Sequence, residues 1–106
     1  MKRGEVWWVN FDPSVGGEIK KIRPALIISN DVSNKIMNRI QVVPISSKVT
    51  KCFPCEAYVM VKDSPGKAMA DQMTTASKTR FKNRICTLTE QEIFGVEQAV
   101  KIQLDL

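Results

Sequence analysis

The sequence predicts a mainly β fold: a small, strongly bent antiparallel barrel closed by one C-terminal helix. Three observations carry this reading. Short runs of β-branched and aromatic residues recur along most of the chain, separated by Gly, Pro, Asn and Asp. Sustained helical spacing occurs only behind Thr89. A length of 106 residues suits one domain with a real core and is too short for two.

The elements follow in order. Residues 4–11 are rich in β-formers and bounded by Gly4 and Asp12-Pro13, which makes a first strand. Trp7 and Trp8 are neighbours on it, so one faces inward and the other outward. Residues 12–22 form a loop made mobile by Gly16-Gly17 and basic at its far end, of a length often used for lids and binding loops. The next stretch, Arg23-Pro24-Ala25-Leu26-Ile27-Ile28-Ser29-Asn30-Asp31, organises the rest. Its middle is apolar without helical period, as in a buried strand. Pro24 fixes its own φ and biases Arg23 to an extended conformation, so the guanidinium leaves a rigid strand in a defined direction. Such a cation is a candidate for recognising an anion, with a surface ion pair as the plain alternative.

Residues 31–35 read as a turn or short helical excursion, and 40–45 as a third strand whose Pro44 marks an edge or bulge. Ser46-Ser47 and a loop with Lys48 and Lys51 follow. A fourth strand at 54–61 ends in Asp63-Ser64-Pro65-Gly66. Shorter strands at 67–70 and 72–75 flank Asp71, and 84–88 is the last strand. Thr89 and Glu92 have capping-box spacing, and Ile93, Val96, Ala99, Val100 and Leu104 recur at helical intervals over about four turns. Gly95 costs that helix about 1 kcal/mol, which a packed face absorbs.

Composition narrows the function. The chain is 43% apolar and 25% charged, which is ordinary for a soluble globular protein. No apolar h-region follows Met1-Lys2-Arg3, and no apolar run approaches the ~20 residues of a membrane helix, so a cytoplasmic protein is expected. A net charge of +5 favours polyanionic partners. The chain contains no histidine, which excludes Ser-His-Asp and Cys-His catalysis. Cys52-Phe53-Pro54-Cys55 has C-x-x-C spacing, but zinc would need a fourth ligand, and the segment behind it reads as strand where a thioredoxin-like motif opens a helix. Cys52, Cys55 and Cys86 are therefore read as reduced thiols, and no metal or cofactor is expected.

Lys78, Arg80, Lys82 and Arg84 fall at every second position. In an extended segment they share one face, a rail for successive phosphates, with a solvated basic face as the alternative. If Ser77 caps a helical turn, the charges splay. Trp7, Trp8, Phe53, Tyr58 and Phe81 are candidates for stacking on unpaired bases, though most are expected in the core.

Nearly the whole chain resembles the MazF/PemK/Kid family of type II toxin–antitoxin endoribonucleases. The likeness runs through Arg3-Gly4-Glu5-Val6-Trp7, Phe11-Asp12-Pro13, Gly17-Glu18 and the Arg23–Asp31 stretch. It continues in Val43-Pro44-Ile45-Ser46-Ser47, Ala70-Asp71-Gln72 and Lys78-Thr79-Arg80-Phe81. The resemblance implies an SH3-like, CcdB/Kid-type barrel, a homodimer, metal-independent cleavage of single-stranded RNA at short motifs, and an antitoxin with an acidic, disordered segment. It makes Arg23 and Ser46 the catalytic pair, with Glu18 contributing. RNA contacts are expected from Lys20, Lys21, Ser47, Lys48, Lys51, Asp71, Gln72, Lys78 and Arg80. Ser46 stands where many relatives have Thr, Gly17 replaces a commoner Ser, and Ile22 precedes Arg23 where some members have His.

The chemistry can be weighed independently. RNA is cut without metal when its own 2′-OH attacks the neighbouring phosphorus, leaving a 2′,3′-cyclic phosphate and a 5′-OH. Arg23 suits stabilisation of the phosphoryl oxygens: it is an always-charged bidentate fork, and a poor acid or base. Ser46 can donate to the phosphate or orient the attacking hydroxyl. Glu18 is the better candidate base because its loop could close over Arg23; Asp71 is a second. A non-catalytic SH3-like binding module and a gyrase-poisoning toxin of the CcdB type are the competing readings.

Overall fold

The computed structural model describes residues 1–13 and 15–106. Ser14, inside the predicted 12–22 loop, lies outside the described residues. Seven strands, two α-helices and two single 3₁₀ turns follow one another: β1 (Glu5–Asn10), β2 (Ile22–Ile27), α1 (Asp31–Ile36), β3 (Arg39–Ser46), β4 (Glu56–Val61) and β5 (Ser64–Met69). A 3₁₀ turn (Ala70–Gln72) leads to β6 (Thr74–Ser77), a second (Lys78–Arg80) to β7 (Phe81–Thr87), and α2 (Glu90–Leu104) ends the chain. The strands form one curled antiparallel sheet in the order β4-β5-β3-β2-β1-β7, with β6 also on β3.

The central run is buried because both faces of the sheet are covered. Leu26 packs with Val6, Val43, Ile45, Leu88 and Val96, on the side that α2 closes. Its neighbours Ala25 and Ile27 pack on the other side with Val9, Ile40, Val42 and Phe81. A strand buried on both faces needs no polar alternation, which is why residues 25–28 read as a continuous apolar run.

β3 is the strand on which the sheet turns. On one side Val42 to Pro44 pair with β2. On the other, Arg39 to Val42 pair with β6, whereas Ile45 and Ser46 pair with β5. Pro44 falls where the partner changes, so its missing N–H breaks no ladder. Gly66 makes the second half of this switch possible: a Cβ there would lie 2.7 Å from Ile45 Cγ2 and 3.3 Å from the Ser46 carbonyl oxygen.

Three predicted boundaries are corrected. Ser64-Pro65-Gly66 do not terminate the fourth strand; they open β5, and the turn is Lys62-Asp63 alone. The strand placed at 72–75 lies at Thr74–Ser77, because Ala70–Gln72 forms a 3₁₀ turn. The basic rail is broken: the Ser77 side chain accepts from the Thr79 N–H and caps the Lys78–Arg80 turn, which splays the charges. β7 then begins at Phe81, earlier than predicted, because Phe81 pairs with Val9 and packs edge-on against Trp7 with ring centroids 6.0 Å apart.

Candidate active site

Arg23 and Ser46 come together. They line one open cleft of about 450 Å³, whose walls also include Trp8, Ser47, Lys62 and Ile85. Arg23 stands on β2 opposite Val9, half-buried, and its Nε donates to the Lys20 carbonyl at 3.3 Å. The terminal nitrogens of its fork have no hydrogen-bond partner among the described residues. Ser46 ends β3 opposite Lys67, and its Oγ accepts from the Lys48 N–H at 3.1 Å. That bond orients the hydroxyl and leaves its proton free to donate. Of the two tryptophans, Trp8 is the outward one, and it faces this cleft.

The other predicted residues gather elsewhere. Glu18, Asp71, Gln72 and Arg80 line a second, more polar cleft of about 370 Å³ with Thr74 and Thr75. The Glu18 carboxylate accepts from the Val15 N–H at 2.7 Å. Gln72 holds the same loop with both ends of its amide, donating to the Gly17 carbonyl and accepting from the Ile19 N–H, each at 3.3 Å. Arg80 donates to the carbonyls of Asn10 and Asp12 where β1 ends, and the Asp12 carboxylate accepts from the Lys21 N–H. Glu18 thus does not reach over Arg23 in this conformation.

Lys20 and Lys21 are exposed on the approach to β2, and Ser47, Lys48 and Lys51 are exposed beyond β3. Lys78 borders a separate depression with Lys2, Asp31 and Lys35.

Two residues bear on the site that the sequence reading did not select. Lys67, across the ladder from Ser46, is nearly buried; its ammonium lies 3.2 Å from the Glu56 carboxylate and donates to the Lys51 carbonyl at 2.8 Å. Glu56 also accepts from the Phe53 N–H, and the Tyr58 hydroxyl donates to the Val49 carbonyl. The loop after Ser46 is therefore tied down at several points. A lysine inside a strand-like run was the available signal for Lys67. Lys62 had none, because a turn lysine is ordinary.

All three cysteines are free thiols. Burial, reinforced by the Asp71 and Glu56 carboxylates, pushes the Cys55 thiol up from its usual range, which makes it a poor nucleophile.

Residues 2–104 match the sequence profile of the PemK-like, MazF-like toxins of type II toxin–antitoxin systems. The chain belongs to this family. Among curated relatives, this toxin is 32% identical to the endoribonuclease MazF9 of Mycobacterium tuberculosis over 115 residues, covering all of this chain and 98% of the relative. It is 28% identical to the endoribonuclease EndoA of Bacillus subtilis, over all of this chain and 96% of EndoA. Its fold matches the crystal structure of MazF from Deinococcus radiodurans with a TM-score of 0.87 at 23% identity, covering 100% and 97% of the two chains. An endoribonuclease from a mycobacterial species, solved with its cognate antitoxin, gives 0.84 at 20% identity, covering 100% and 96%. The expected mainly β barrel-like sheet with a C-terminal helix is the fold observed.

Proposed function

We propose that this toxin is an endoribonuclease that cuts single-stranded RNA at short sequence motifs, without a metal, and so arrests translation and growth. The observation that carries this is the shared cleft of Arg23 and Ser46, a free guanidinium fork beside an oriented hydroxyl. The scissile phosphate sits between them. Arg23 holds its non-bridging oxygens and stabilises the charge that grows as the RNA 2′-OH attacks phosphorus. Ser46 donates to the phosphate or orients the attacking hydroxyl, and the bond from phosphorus to the 5′-oxygen breaks. The products are a 2′,3′-cyclic phosphate and a 5′-OH. Glu18 acts as base only if the loop that Gln72 now holds moves towards Arg23.

The toxin works as a homodimer in the cytoplasm. The exposed apolar side chains of Trp8 and Ile22 at the cleft rim are surface that a second copy would cover. No helix of the described residues is long and apolar enough to cross a membrane. The cognate antitoxin presents an acidic, partly disordered segment that competes with RNA for the cations of Lys20, Lys21, Lys48 and Lys51.

The test is cleavage of a mixed RNA pool in EDTA, with sequencing of the 5′-OH ends. Arg23→Ala lowers the rate by several orders of magnitude, and Arg23→Lys rescues poorly because the planar fork is lost. Full activity of Arg23→Ala, or an absolute need for Mg²⁺, overturns the proposal.

A further inference from the structure

A lysine occupies the tip of the β4–β5 hairpin in a backbone conformation that favours glycine. Val61 pairs with Ser64, so the turn consists of Lys62 and Asp63 only, and Lys62 has φ 56°. A residue with a Cβ is strained there, and Gly or Asn would serve the turn better. The identity of this residue therefore needs a reason outside the turn. Lys62 lines the cleft of Arg23 and Ser46, is exposed, and forms no ion pair among the described residues.

The ladder places the backbone of that lysine relative to Ser46. β3 lies between β2 and β5, so Ser46 sits between Arg23 and the hairpin. Ser46 pairs with Lys67, and β5 continues beyond it through Gly66, Pro65 and Ser64. At about 3.3 Å per residue Ser64 stands roughly 10 Å past Ser46, and the Lys62-Asp63 tip lies just beyond it. The close approach of Gly66 to Ile45 and Ser46 packs the hairpin against β3. Among the described non-glycine residues, positive φ recurs only at Lys21 (66°) and Asp105 (57°). Asp105 ends α2, whereas Lys21 stands two residues before Arg23. Strained lysines thus flank the cleft on its Arg23 side and beyond Ser46.

We propose that Lys62 is an RNA-binding residue that holds the phosphate next to the scissile one along the strand. This deepens the ribonuclease reading and rests on it. The separation from Ser46 puts the ammonium at a neighbouring phosphate, which fixes the register of the RNA and takes no part in bond breaking.

The experiment measures binding of a 2′-O-methylated, uncleavable oligoribonucleotide as a function of salt for wild type, Lys62→Gly and Lys62→Arg. Lys62→Gly relieves the turn, so its Tm rises, yet it binds several-fold more weakly at low salt. Its slope of log K against log salt falls by about 0.7, the value for one lost single-strand phosphate contact. Lys62→Arg retains the wild-type slope. A Lys62→Gly protein with wild-type affinity and slope overturns the assignment while leaving the ribonuclease reading intact. An effect confined to binding of a poly-glutamate peptide assigns Lys62 to an acidic protein segment and equally overturns it. A wild type that binds no RNA at all overturns both.

Discussion

Gln72 shows how a single side chain can hold a loop in place. Its amide is engaged at both ends by the loop backbone at Gly17 and Ile19, and that loop carries Glu18. Each bond is near the surface and contributes about 1 kcal/mol, so Gln72 holds the loop lightly. Gln72→Met removes both bonds at similar size. The Ile19 amide proton then exchanges faster, and RNA cleavage falls by about tenfold or less, a change of about 1.4 kcal/mol in the barrier. A loss as large as that of Arg23→Ala would place Gln72 on the reacting atoms and refute this holding role. Asp71-Gln72 was legible as a pair. That Gln72 grips the Glu18 loop was not, because the two segments meet only through the sheet.

Among the elements, α2 was the most readable, since capping and period are local properties. The Thr89–Glu92 capping box forms as its spacing predicts, and Val96 and Ala99 are buried. The second duty of Glu92 was hidden: its carboxylate also accepts the Met60 N–H of edge strand β4, at 2.6 Å. Burial alone would raise the Glu92 pKa, but the N–H groups of Thr89 and Met60 and the Thr89 hydroxyl outweigh it and hold the carboxyl below its ordinary value. A lowered folded-state pKa gives stability that is present above the ordinary carboxylate range and lost as pH falls through the folded value. Glu92→Ala should cost about 1–2 kcal/mol in denaturant unfolding at neutral pH. The stability gap between wild type and Glu92→Gln should close on acidification; a gap that stays constant from neutral to acid pH would contradict the double-cap role. The basic segment behaved in the opposite way. Even spacing of Lys78 to Arg84 suggested an extended rail, but the Ser77 cap and the pairing of Phe81 with Val9 decided otherwise.

At the scale of the molecule, assembly has a direct measure. Trp8 and Ile22 are 38% and 49% exposed at the rim of the Arg23 cleft. Light scattering at micromolar concentration should give twice the 11.9 kDa chain mass, and a species of 11.9 kDa alone would refute the dimer. The sequence by itself determined the fold class, the buried β2 run, the helix with its cap, and Arg23 as a strand-mounted cation; Ser46 was picked out only by the family resemblance. All but Ser46 are set by periodicity, turn chemistry and residue type, which act over a few positions. Only the tertiary structure decided that Arg23 and Ser46 share a cleft while Glu18 and Gln72 belong to another, and that Lys62 joins the first. Such groupings depend on where β3 changes partner from β6 to β5 and how closely Gly66 lets β5 approach Ser46. Those contacts join residues far apart in the chain, and no local pattern encodes the distance between them.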